Sequence, residues 1–144
     1  MPSFTSQVPN LVQVGPVAEV TVATTRSLSA ALSERGAPVP PGVRAVAMLD
    51  TGASATVLAP SVVNALGLRP VGVALISTPS TTEPQSVHKY AVDLALPNGL
   101  SVRDVVALEA PLGGQRIECL IGRDILAHGV LVYVGCANQV TLSF

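Results

Sequence analysis

Val46-Ala47-Met48-Leu49-Asp50-Thr51-Gly52-Ala53-Ser54 sets a carboxylate between an apolar run and a glycine turn. The four apolar residues predict a buried strand, and Thr-Gly-Ala-Ser predicts a sharp turn after it. A strand that ends in a carboxylate and turns through glycine presents that carboxylate to a cleft instead of to bulk water. Asp50 in this setting can act as general base, metal ligand or phosphoryl acceptor, or it can cap the turn. Metal ligation fits poorly, because no His, Cys or second carboxylate stands nearby in the sequence. Phosphoryl transfer fits poorly too: the ion-pump motif Asp-Lys-Thr-Gly-Thr needs a Lys where Thr51 stands.

Working outward, the chain reads as short strands punctuated by turns. Residues 17–23 alternate and are rich in Val, so they form a strand. Residues 26–42 are a long connection with a helical turn at 29–34. Residues 43–49 run into the Asp50 turn, and 61–66 form a short helix with Pro60 near its start and Gly67 as its stop. Residues 71–77 and 87–96 are strands on either side of a polar tip with two prolines. Pro97-Asn98-Gly99 predicts a hairpin into a strand at 100–109. Gly113-Gly114 makes a loop, 117–121 a strand, and 123–128 a helix stopped by Gly129. Strands at 130–134 and 139–144 finish the chain. The expectation is an all-β fold with one or two short helices, a less regular N-terminal arm at 1–16 and a single domain at 17–144.

Composition narrows the partners. The 144 residues suit one domain; 49% are apolar, 12% are charged and the net charge is −1. The eight basic residues are scattered singly, which gives no electrostatic reason to expect nucleic acid or an anionic membrane. Residues 125–144 lack Lys, Arg, Asp and Glu over about the length of a spanning helix. His128, Gly129, Gly135, Asn138 and Gln139 interrupt them, so two strands around a turn explain them better. Residues 1–9 have neither a basic region nor a long apolar run, so a soluble cytoplasmic protein without a signal peptide is expected. Cys119 and Cys136 are expected to be reduced core cysteines, and no metal or cofactor is expected. His88 and His128 read as structural or solvated. High apolarity with few charges also suits a chain that buries surface against a second copy.

A second motif, Cys119-Leu120-Ile121-Gly122-Arg123-Asp124-Ile125-Leu126, lies about 70 residues after Asp50. An apolar pair followed by Asp-Thr-Gly-Ala, and later two apolar residues followed by Gly-Arg-Asp before a helix, resembles the retropepsins. These are the single-domain, retroviral-type aspartic proteases and their bacterial and cellular relatives. The resemblance covers residues 17–144. It implies a closed acid-protease barrel, a two-fold homodimer, and an aspartic endopeptidase acting on a peptide or protein substrate. In that family one Asp from each subunit forms a dyad that shares a proton and activates a water.

By position, the resemblance makes Asp50 the catalytic carboxylate. Thr51 would join the two turns across the axis, and Gly52 would allow close backbone approach. Ala53 and Ser54 would border substrate, although many retroviral members carry a second Asp at the position of Ser54. The usual partner of Arg123 is therefore missing, and Ile121, Gly122, Arg123 and Asp124 read as an architectural motif, with Arg123 placed at the dimer interface. Thr78, Pro79, Ser80 and Thr81 stand at the tip of the flap, without the glycines of retroviral flaps. Tyr90 either walls the site or faces the core. The terminal strand at 139–144 would interleave with the partner's ends. A catalytically weak or inactive module that binds peptides or dimerises is the competing expectation.

Overall fold

The computed structural model describes residues 1–113 and 116–144. Gly114, half of the expected Gly113-Gly114 loop, lies outside the described residues. The strands in chain order are β1 (Ser3–Gln7), β2 (Val17–Thr24), β3 (Val43–Leu49), β4 (Val57–Leu58), β5 (Gly72–Ile76), β6 (Gln85–Ala95), β7 (Ser101–Glu109), β8 (Cys119–Ile121), β9 (Val130–Val134) and β10 (Gln139–Ser143). The helices are α1 (Leu11–Val14), α2 (Arg26–Glu34), α3 (Pro60–Leu66) and α4 (Arg123–Leu126). The chain is therefore mostly β, with four short α-helices among the described residues instead of one or two.

Seven strands pair in the order β2-β3-β8-β4-β7-β6-β5, and β6 also pairs back onto β2. Alternation decides which faces turn inward. Along β2, Ala18, Val20 and Val22 are buried; along β3, Ala45, Ala47 and Leu49; along β6, Tyr90, Val92 and Leu94. Together with Leu58, Val62, Leu66 and Ile121 they form one core. Tyr90 faces this core, and its hydroxyl donates to Glu109 Oε2 at 2.8 Å.

The helices follow local rules. Pro60 opens α3, and Gly67 closes it at φ +60°, where a side chain would be strained. The nine-residue helix α2 replaces the single turn expected at 29–34. Thr25 caps it by accepting the Leu28 N–H at 3.2 Å, satisfying a donor that would otherwise be orphaned. The hairpin at Pro97–Gly99 forms as a 3-10 turn with Asn98 left-handed.

A separate three-stranded sheet runs β1-β10-β9. Residues 1–16 are more regular than expected: β1 pairs with β10, and Phe4, Val8 and Leu11 enter the core. This corrects the expectation for the C-terminus. β10 is flanked on both edges by β1 and β9 of its own chain, so its backbone groups cannot also pair with a partner's strands while those ladders stand. The open edges of this sheet belong to β1 and β9.

The two cysteines separate in the same way. Cys119 is buried, whereas Cys136, expected in the core, is exposed on the turn Gly135–Ala137 that joins β9 to β10. Burial first, then the charge of Asp124, pushes the Cys119 thiol up to about 12 from its ordinary 9.0. Burial, and then Glu109, also raises the Tyr90 hydroxyl. A raised folded-state pKa gives stability that is complete below the unfolded value and lost as pH climbs through the folded one. The expected result is a urea midpoint to which these groups add no pH dependence up to about pH 9 and that falls above it, with a shallower fall in Cys119→Ala. Native protein should lose one thiol, Cys136, to a maleimide, and Cys119 should react only after unfolding. Fast labelling of both would contradict this assignment.

Candidate active site

β3 delivers Asp50 to the outer face of the fold. Its inward positions end at Leu49, so Met48 and Asp50 share the opposite side and line one cavity of about 310 Å³. The other described walls are Pro111, Leu112, Gly113, Ile117 and Leu120, and among them Asp50 is the one ionisable side chain. Sequence reading missed these walls, because an apolar loop carries no local mark of the cavity it borders.

The turn is held from within and from below. Gly52 N–H donates to Asp50 Oδ1 at 2.8 Å, and Ala53 N–H donates to the Asp50 carbonyl at 3.3 Å. Among the described residues Asp50 Oδ2 receives no hydrogen bond. From below, Asp50 N–H donates to the Ile121 carbonyl at 2.9 Å, and Arg123 N–H to the Ala53 carbonyl at 2.9 Å. The Arg123 side chain reaches the same turn, its Nη1 donating to the Thr51 carbonyl at 2.7 Å. That is the partner Arg123 takes in the absence of an Asp at position 54, and it lies in its own chain.

Thr56 ties the second motif to the first. It is fully buried; its N–H and Oγ1 donate to Asp124 Oδ2 and Oδ1 at 3.0 and 2.9 Å, and Oγ1 accepts from Gly122 N–H at 3.3 Å. Every polar atom of a buried hydroxyl needs such a partner. No sequence signal marked Thr56 beyond its being a threonine. Gly122 is required by contact: a Cβ there would lie 2.5 Å from the Ala55 carbonyl carbon and 2.6 Å from its oxygen.

The remaining candidates lie apart from this interlock. The Thr51 side chain is exposed, and among the described residues its hydroxyl makes no hydrogen bond. Ser54 is exposed and Ala53 half-buried. Thr78, Pro79, Ser80 and Thr81 form the tip joining β5 to β6. The tip is closed on itself: Thr81 N–H and Oγ1 donate to the Thr78 carbonyl at 3.0 and 3.1 Å. None of these four is among the described walls of the Asp50 cavity. Among the described residues no group of three His, Cys, Asp or Glu side chains could hold a metal ion, and no helix is long and apolar enough to cross a membrane.

Chemically, a carboxylate with one oxygen fixed and the other free, among apolar walls, can take a proton from a water molecule. It cannot at the same time donate a proton to a developing oxyanion. A second proton-carrying group would be needed for that step.

Comparison with known proteins bears on this geometry. A sequence model of the aspartyl protease family matches residues 39–125, more than half of the chain, including Asp50-Thr51-Gly52-Ala53 and Leu120-Ile121-Gly122-Arg123-Asp124. Among solved structures the chain is similar to the crystal structure of a retropepsin-like aspartic protease from Rickettsia conorii. The identity is 15%, the match covers 99% of this chain and 94% of that one, and the TM-score is 0.49. No curated protein matches the chain.

Proposed function

The chain belongs to the aspartyl protease family, and from that premise we propose that it is an aspartic endopeptidase assembled from two copies. Asp50 of each copy meets across a two-fold axis, and substrate is a peptide in extended conformation. The ring of pairings β2-β3-β8-β4-β7-β6-β2 is then the acid-protease barrel of one subunit. The observation that carries the reading is the single free carboxylate oxygen of Asp50 on a turn clamped by the second motif.

Two carboxylates brought that close cannot both ionise, the established behaviour of the aspartic-protease dyad, and so they hold one proton between them. The ionised member accepts a proton from water as the water attacks the scissile carbonyl. The protonated member donates to the oxygen on which charge develops. The tetrahedral intermediate then collapses as the amine leaves with a proton, and no acyl-enzyme forms. Thr51, exposed and without an internal partner among the described residues, is suited to bond across the axis. Thr78, Pro79, Ser80 and Thr81 would cover the bound peptide as a flap. The exposed Val130, Val132 and Tyr133 on β9 offer apolar surface for the second copy.

The test is cleavage of a peptide library as a function of protein concentration, with sedimentation run in parallel. Activity per chain should rise and saturate with the dimer fraction, and a statine-type transition-state mimic should abolish it. Full activity in a stable monomer would overturn the two-chain dyad. Arg123→Met tests the clamp: removing the Nη1 bond to the Thr51 carbonyl should lower kcat about tenfold. Because Arg123 is exposed, stability should change by less than about 1 kcal/mol. An unchanged kcat would confine Arg123 to the surface.

A further inference from the structure

The outer face of β3 continues past the Asp50 cavity into a second one of about 450 Å³, which shares Met48 and Ile117 with the first. Its further walls include Val12 and Val14 of α1, Val17 at the start of β2, and Arg116. Val12 is 79% exposed and Val14 46%. Two valines left in water on one cavity mark a surface that gains from being covered. Arg116 is the one charged side chain among the described walls, and among the described residues it makes no ion pair.

We propose that this second cavity is a distal subsite of the same cleft. It takes an apolar side chain of an extended peptide over Val12 and Val14, and an acidic side chain beside Arg116. The proposal rests on Asp50 as the catalytic carboxylate. The occupant follows from adjacency: Met48 and Ile117 border both cavities, so one extended chain can contact both. Charge selects its chemistry, since a cation without a carboxylate partner is complemented by Asp or Glu. Spacing selects the position. From Asp50 back to Val46, a wall of the second cavity, β3 covers four residues, or about 13 Å at ~3.3 Å each. A substrate that runs extended alongside β3 therefore reaches this subsite about four residues from the scissile bond.

The experiment compares the parent with Arg116→Glu on a peptide library whose cleavage products are sequenced. The parent should enrich Asp and Glu about tenfold over Lys and Arg at one position near the fourth from the cut, and Arg116→Glu should invert that preference. Identical profiles overturn the subsite. So does a preference unchanged in Arg116→Glu while its sedimentation shifts to monomer, which would make this surface an interface between copies. A parent that cleaves nothing defeats the catalytic reading alone, because the subsite is also read by binding. Asp50→Asn protein is titrated with fluorescein-labelled apolar dodecapeptides bearing one Glu or one Lys four residues from the centre. The Glu peptide should bind about tenfold more tightly, with the order reversed by adding Arg116→Glu. Equal affinities overturn the proposal.

Discussion

Replacement of Asp50 by Asn is expected to lower peptide hydrolysis by about 10³-fold or more while leaving the fold intact. The amide is nearly isosteric, and its oxygen can still accept the Gly52 N–H that Asp50 Oδ1 accepts at 2.8 Å. The backbone bond from Asp50 N–H to the Ile121 carbonyl is untouched. What disappears is the ability to carry a proton in one step and release it in the next. Positioned acid–base groups contribute about 10²–10⁴-fold each, and a dyad loses both functions with one substitution per chain. The measurement is kcat/KM on a cleaved peptide beside the thermal midpoint of each protein. Activity within tenfold of the parent at an equal midpoint would leave Asp50 as a turn cap.

Gly122→Ala is expected to destabilise the chain by about 3 kcal/mol, far more than a Gly-to-Ala change on a surface. The new methyl would meet the backbone of Ala55, with atoms at 2.5, 2.6 and 3.0 Å, and backbone cannot rotate aside as a flexible side chain can. The start of α4 must then move away from the Asp50 turn. That movement strains the bonds from Gly122 N–H to Thr56 and from Arg123 N–H to Ala53 together. Gly113→Ala is the control, since among the described residues a Cβ there meets nothing within 4 Å, and it should cost less than about 0.5 kcal/mol. Urea denaturation of the two variants checks the difference. Equal midpoints would mean that the approach of α4 to the turn is not needed for stability.

Much of the local structure was legible because it depends on neighbours in the chain. The alternation in β2 and β3, the Gly67 stop and the Asn98-Gly99 hairpin each rest on a few adjacent residues. Helix α2 was read short: Leu28, Ala31 and Leu32 stand at helical spacing, yet the serines among them suggest a loop, and Thr25 completes the cap. Strand β4 was missed because two residues show no alternation. It exists through its partners, Leu108 and Glu109 on β7 and Cys119 and Leu120 on β8.

The site divides along the same line. A carboxylate at the end of an apolar strand, and a Gly-Arg-Asp before a helix, are properties of short segments, so residue order was enough to single out Asp50 and Gly122. Which atoms meet is a property of distant segments. The Arg123 bond to Thr51 spans 72 residues and the Thr56–Asp124 pair 68. No periodicity encodes such contacts, because they form only where closure of the sheet brings β8 beside β3. The separate sheet β1-β10-β9 sets both edges of β10 against its own chain, and Met48 and Ile117 border both the Asp50 cavity and the one lined by Val12 and Arg116. Sequence order chose the carboxylate and its turn; the packing of β8 and α4 beneath that turn decided how it is held and what lies beside it.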